Sequence, residues 1–215
     1  MGQFWSAATL LFPQGLLTTD KDAMHWTVFW CNQGLAEHDI FHALMTGNED
    51  HSQIEAILPD PKTRAIGIVV TKPDKIMHGM QLGAAGMHNQ IRQWTEQPFA
   101  PTLFGKLIES GYRVFATSDH GNIEARGCGN PAEGMLAETR GQRARIYNHE
   151  SIRQSVHAAY PDSSIWDPVG LPQPCLPLLA PHRQAFVAEK MAIVCHGGSS
   201  LAEMVVPLVE ITMLK

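Results

Sequence analysis

Residues Ala65-Ile66-Gly67-Ile68-Val69-Val70-Thr71 form an unbroken apolar run rich in β-branched side chains. Such a run fits a strand covered on both faces, as in a parallel sheet, better than one half open to water. Two further runs, Tyr112 to Thr117 and Met191 to Val194, are also largely apolar. Each of the three is followed by a short polar segment: Asp74-Lys75-Ile76-Met77-His78, Ser118-Asp119-His120-Gly121-Asn122, and Cys195-His196-Gly197-Gly198. Helical spacing lies between them. Leu103, Phe104, Leu107 and Ile108 predict a helix from Phe99 to Ser110 with Gly111 as its stop, and Ile76 to Trp94 reads as a crossover helix. This alternation predicts an α/β fold on a mainly parallel sheet with helices on both faces, where ligands bind at the carboxyl ends of the strands.

The remaining elements follow from the same patterns. His25 to Cys31 reads as a first strand, and Leu35 to Met45 as an amphipathic helix after an Asn-Gln-Gly turn. Downstream lie a Gly-rich loop from Arg126 to Gly141, a short strand from Ala144 to Tyr147 and a helix starting near His149. Six of the fourteen prolines fall between Pro161 and Pro181, which predicts an irregular connection there. The chain closes with Ala185-Phe186-Val187, the Met191 strand, a helix capped at Ser199 or Ser200, and a strand from Pro207 to Leu214. The expected division is an irregular segment, 1–24, and one domain, 25–215.

With 215 residues, 44% of them hydrophobic, the chain can bury a sizeable core. Its net charge of −5 argues against an extended nucleic-acid groove but leaves room for a local basic patch, so direct nucleic-acid binding stays open. Cys31, Cys128, Cys175 and Cys195 are scattered without a Cys-x-x-Cys pair, which suits free thiols in a reducing compartment better than a disulfide framework. The apolar stretch from Phe4 to Phe12 is too short to span a bilayer and has no basic residue before Lys21, so neither a membrane helix nor a secretory signal is expected. The match of Met1-Gly2-Gln3-Phe4-Trp5-Ser6 to a myristoylation pattern is too loose to carry weight.

The three polar segments contain the residue types of a metal centre. Asp74 and His78, four apart, share one face if their turn is helical. His196 would complete a three-ligand set with an open position for water or a phosphoryl oxygen. Asp119 and His120 are adjacent and reach one site only if the chain bends past the strand, a bend that Gly121 is placed to allow. Two ions about 3.5 to 4 Å apart would form the clamp used in phosphoryl transfer. His38 and His42 read as a solvated helix face, and Cys195 as a packing residue at a strand end.

The motifs resemble the alkaline phosphatase superfamily and, more narrowly, the PglZ domain. The resemblance rests on Asp74 to Gly79, Thr117 to Gly127, Glu133-Gly134, Arg140 to Tyr147, and His196 to Pro207, and runs from about Trp26 to the C-terminus. It implies a cytoplasmic phage-defence protein of a BREX or Pgl system that acts with other defence proteins on a phosphate-containing substrate by zinc-dependent hydrolysis. It carries over Asp74, His78 and His196 as ligands of one zinc, and Asp119 and His120 as ligands of a second. Arg140, Arg143 and Arg145 follow the Gly-rich loop; one of them could grip phosphate, the alternative being salt bridges along a strand edge.

The chain also departs from that pattern. Superfamily members place another Asp ligand and a Ser or Thr nucleophile upstream of the Asp-x-x-x-His motif. Ser6, Thr9, Thr18 and Thr19 are the hydroxyls before Trp26, and none follows an apolar strand ending in Asp. The catalytic nucleophile is therefore unassigned, the second metal site is expected to be incomplete, and the chain is expected to lack the N-terminal part of the domain. The leading reading is a phosphatase or phosphodiesterase domain. The alternative is an interaction module of a defence complex that keeps the ligands without turnover. A phosphomutase is a third, from which the Gly-rich loop and the Arg140 to Tyr147 segment point away.

Overall fold

A computed structural model of the chain describes residues 21–213, apart from 61, 81, 133–136, 168 and 170–174; for 137–140 it describes the backbone alone. In chain order the first elements are α1 (Asp22–Asn32), β1 (Ile40–Met45), α2 (His51–Ile57), β2 (Ala65–Val70), α3 (Lys72–His78), α4 (Gly83–Thr95), α5 (Phe99–Glu109) and β3 (Val114–Thr117). There follow β4 (Ile123–Gly127), β5 (Ala137–Arg140), β6 (Ala144–Tyr147), α6 (Glu150–Ala159), β7 (Ser164–Ile165), β8 (Leu176–Leu179), β9 (Gln184–Ala185), β10 (Ala192–Cys195), α7 (Leu201–Met204) and β11 (Leu208–Ile211). None of the helices among the described residues is long and apolar enough to cross a membrane.

The chain divides into two compact units. One, here the helical unit, takes its described residues from 21–79, 85–117 and 207–213; the other, the strand unit, from 80–84 and 118–206.

In the helical unit β1 and β2 pair in parallel from Ile40↔Ala65 to Met45↔Val70, while β11 pairs antiparallel with β3. Met45, Ile54, Trp94, Phe99, Leu103, Leu107 and Val114 form a buried core, against which Ile66, Ile68 and Val70 pack. Full burial of each large side chain contributes about 1.5–3 kcal/mol. Local signals set the element ends. Asp50 and Gln53 make a reciprocal capping box at the start of α2, with both bonds at 2.9 Å. Helix α5 stops at Gly111, whose φ of 87° few side chains tolerate; there the Gly111 and Tyr112 amides donate to Ile108 and Leu107 in a Schellman closure. The expected crossover helix is two helices, α3 and α4.

The largest correction falls on α1 and β1. Residues 25–31 were expected as a strand and 35–45 as a helix; the first is helical, and the second is a strand from Ile40 on, after a 3-10 turn at Glu37–Asp39. Short aromatic runs do not reveal their period. Trp26, Phe29 and Trp30 lie at i, i+3 and i+4, so a helix gathers their rings, with centroids 5.6 Å apart for Trp26–Trp30 and 5.3 Å for Phe29–Trp30. Gly67 of β2 makes room for the Trp26 indole, since a Cβ there would lie 2.7 Å from it. Ile40 to Met45 gains the parallel ladder to β2 instead, which takes His42 off the helix face expected for it.

The strand unit carries two sheets. One runs β10-β4-β9 and the other β5-β6-β8-β7. Strand β4 pairs antiparallel with β10 and parallel with β9; every pair in the second sheet is antiparallel. The chain is thus mixed α/β, but of the described strand pairs only β1–β2 and β4–β9 are parallel, so a mainly parallel sheet is not what these strands build. Two segments read as irregular also hold strands. The Gly-rich loop contains β5 and part of β4, and the proline-rich connection contains β8, flanked on both sides. Pro177 has no N–H to give the ladder, but its carbonyl accepts from the Trp166 amide at 3.2 Å and from Arg153 at 3.3 Å.

Candidate metal centre

In the helical unit, Asp74 and His78 are separated by one turn of α3, which begins just after β2. Asp74 Oδ1 lies 3.4 Å from His78 Nε2, and both side chains are about half exposed. Two donors at about 2.0–2.2 Å from one ion stand about 3 to 4 Å from each other. The pair has that spacing.

In the strand unit, Asp119 and His120 lie beyond the end of β3, where strand alternation no longer holds their side chains apart. Asp119 Oδ1 is 3.7 Å from His120 Nε2, again the separation of two ligands of one ion. His120 Nδ1 lies 2.8 Å from the Gly121 carbonyl oxygen. That oxygen can only accept, so Nδ1 carries a proton, and Nε2 is the nitrogen left to offer a lone pair to an ion. This is the outer-shell bond that orients metal-binding histidines. The His196 ring stacks on that of His120, with centroids 3.6 Å apart and planes 8° from parallel. Imidazole and carboxylate donors suit a divalent ion such as zinc, and the orientation of His120 fits that use.

Cys195, beside His196, is fully buried in the core with Ile123, Ala125, Ala185 and Ile193. Burial pushes its thiol up to about 12, opposed by the Arg143 charge and reinforced by Glu203. It serves as the expected packing residue.

Arg143 and Arg145 are placed otherwise than a phosphate grip requires. Arg143, just before β6, and Arg145, on it, are 2% and 3% exposed. The Arg143 guanidinium forms a fork with Glu203, Nε to Oε1 at 2.9 Å and Nη2 to Oε2 at 3.1 Å. Its Nη1 donates to the carbonyls of Pro181, at 2.7 Å, and Gln184. Arg145 Nη2 donates to Asn130 Oδ1 at 2.5 Å and to the Phe186 carbonyl, and its guanidinium lies over the Phe186 ring. These donors are used inside the unit, and Arg143 makes an ion pair there, as in the salt-bridge alternative to a grip. Arg140 sits on β5, where the backbone alone is described. Glu133, Gly134, Ser6, Thr9, Thr18 and Thr19 lie outside the described residues.

Glu203 falls within the His196 to Pro207 motif, and it is the residue around which this region is organised. It is 2% exposed. Burial alone would raise its carboxyl, but hydrogen bonds from Arg143 and Ser200, the Arg143 charge and the Gly198 amide together hold it below the ordinary carboxylate value. The sequence signal was the Ser200-x-x-Glu203 spacing, which forms the capping box of α7. Gly121 also acts differently from expectation. Gly121 has no positive φ among the described glycines; a Cβ there would run into the Ala202 carbonyl, so its smallness permits close approach of α7. Gly197 does make a left-handed turn, at φ 103°, and a Cβ on Gly198 would meet Arg143 at 2.6 Å and Glu203 at 2.7 Å.

No curated protein matches the sequence. Among solved structures the chain is similar to murine ectonucleotide pyrophosphatase/phosphodiesterase 5, with a TM-score of 0.58 and 13% identity over 88% of this chain and 65% of that one. The chain thus spans just under two thirds of that protein's length, and at this identity the likeness speaks for the fold alone. The family model of the BREX system PglZ alkaline phosphatase-like domain matches residues 13–211, nearly the whole sequence. The chain belongs to the PglZ family of alkaline phosphatase-like domains.

Proposed function

We propose that this chain is a metal-dependent phosphoester hydrolase domain, a phosphatase or phosphodiesterase, acting in the cytoplasm with other proteins of a BREX-type phage-defence system. Asp74, His78 and His196 are assigned to one zinc ion, and Asp119 and His120 to a second, more weakly held. The observation that carries the reading is His120: its Nδ1–H is anchored on a carbonyl, its Nε2 stands at ligand distance from Asp119, and its ring lies against His196. Bound ions would supply charge for a phosphoryl oxygen and lower the pKa of a water or hydroxyl nucleophile. The family match and the similarity to a phosphodiesterase fold support the phosphoester assignment.

The test is elemental analysis of protein purified without chelator, together with turnover of a generic phosphate monoester and a diester in added zinc. Zinc at up to two ions per chain, lost in part with His196→Ala, is expected. Hydrolysis above the rate of Asp119→Ala is expected as well. A metal content of nil, unchanged by His196→Ala, would sink the metal assignment. Metal without turnover would favour the interaction module.

A further inference from the structure

Glu203 makes two kinds of contact that converge on the two histidine loops. Its backbone carbonyl accepts the Gly121 amide at 2.8 Å, next to His120. Its Oε1 accepts the Gly198 amide at 2.9 Å, two residues beyond His196. Its Oε2 accepts the Ser200 hydroxyl at 2.6 Å and the Ser200 amide at 3.3 Å. Arg143 closes the arrangement with its two-pronged bond to the same carboxylate. The loops therefore meet at one residue, and Gly121 and Gly198 are glycines where a Cβ would collide with its surroundings. A paired buried charge is often no more stabilising than well-packed apolar side chains of the same volume. Stability alone does not account for its presence beneath this loop.

We infer that Glu203, locked by Arg143, is a positioning residue that fixes the His120 and His196 rings in register, each for the metal ion assigned to it. It acts through the Gly121 and Gly198 amides, which it holds by its backbone carbonyl and its carboxylate. The part of the inference that concerns metal affinity rests on the reading of these histidines as ligands; the part that concerns the rings does not. The device differs from the usual outer shell, where a carboxylate bonds a ligand imidazole directly. Here one carboxylate and its own backbone carbonyl hold the two loops instead.

The test uses the full chain, the double variant Arg143→Met/Glu203→Met and the single variant Glu203→Gln. The double variant replaces the pair with apolar side chains of similar length; Glu203→Gln keeps one carbonyl oxygen for Gly198 but loses the second acceptor. In metal-free protein, the nuclear Overhauser contact between the two imidazoles and the exchange rates of the Gly121 and Gly198 amides are read by NMR. Cobalt(II) titration then reads the affinity. The expected order of ring contact and amide protection is parent, Glu203→Gln, double variant. Exchange at both glycines should quicken at least about tenfold in the double variant, and cobalt affinity should fall about 10- to 100-fold, the usual effect of an outer-shell change.

Well-dispersed amides from β4 and β10 confirm folding, and if the double variant fails that control, Glu203→Gln alone decides. A folded variant that keeps the parent's ring contact and glycine protection overturns the inference, as does one whose cobalt affinity is unchanged. If the parent binds no cobalt, the metal reading fails, and the ring contact and exchange rates still decide whether Glu203 positions the loops.

Discussion

The helical unit is held by side chains with little to hydrogen-bond: Met45, Ile54, Phe99, Leu103, Leu107 and Val114, with the Trp94 indole donating to the Gly47 carbonyl at 2.7 Å. In the strand unit Arg143, Arg145, Arg153 and Glu203 are buried among small apolar clusters around Ile123 and Tyr147. All the buried charged side chains among the described residues belong to that unit. Apolar burial is non-directional and tolerates repacking, whereas a forked ion pair works in one geometry. The contrast teaches where geometry is fixed most tightly. The strand unit places directional, unforgiving contacts beneath its two histidines, while Asp74 and His78 need only the regular turn of α3.

The contrast breaks first at Arg143. Arg143→Met leaves the Glu203 carboxylate buried without its counter-charge, an outcome that costs about 3–5 kcal/mol. Amide exchange at Val194 and Cys195 should quicken about a hundredfold or more, because it reports local opening. Arg113→Met in the helical unit is the control. Its partner Glu210, 3.1 Å away, is exposed, as is Arg113 itself, so the loss should stay within about 1 kcal/mol. Equal effects from the two substitutions would remove the distinction drawn between the units.

The next test makes a hole in the apolar core. Leu103 is 3% exposed in α5, and Leu103→Ala should cost about 2–5 kcal/mol, depending on how far Phe99 and Val114 relax into the cavity. The expected signature is faster exchange along α5 with β4 and β10 little changed. Loss of protection at the same denaturant concentration in both units would show one cooperative unit, and sharpen the division into a matter of composition alone.

How much of this was legible in the sequence follows from how local each signal is. The Ala65 strand, the α5 helix with its Gly111 stop and the Ser200 cap are each encoded within a few residues, and each stands where expected. The identities of α1 and β1 depend on which face meets β2, and β8 on its neighbours β6 and β7, so propensity was overruled by packing. The spacing of Asp74 and His78 was readable because it is one helical turn. The stacking of His120 on His196 and the pairing of Arg143 with Glu203, 60 residues apart, were not. A buried arginine and a phosphate-gripping one look the same in a sequence, since their partners lie far along the chain.

The smallest expected effect is the response to acid. Glu203 is held below its ordinary value of 4.5 when folded, so its contribution to stability is fully present above that pH. It is lost as the pH falls through the depressed folded value, where the carboxylate takes up a proton and the fork with Arg143 loses its charge. Glu203→Gln has no such proton to gain. The parent's advantage over Glu203→Gln, measured by exchange at Val194 and Cys195, should therefore be constant near neutrality and narrow on acidification below 4.5. In the helical unit Asp50 is lowered by the Gln53 amide and Glu55 by Lys106, both at the surface, and the same titration of α5 amides should not distinguish parent from Glu203→Gln. If the advantage at β10 persists unchanged well below the ordinary carboxylate value, Glu203 acts by shape and neutral hydrogen bonds, and the charged pair is not what sets the strand unit apart.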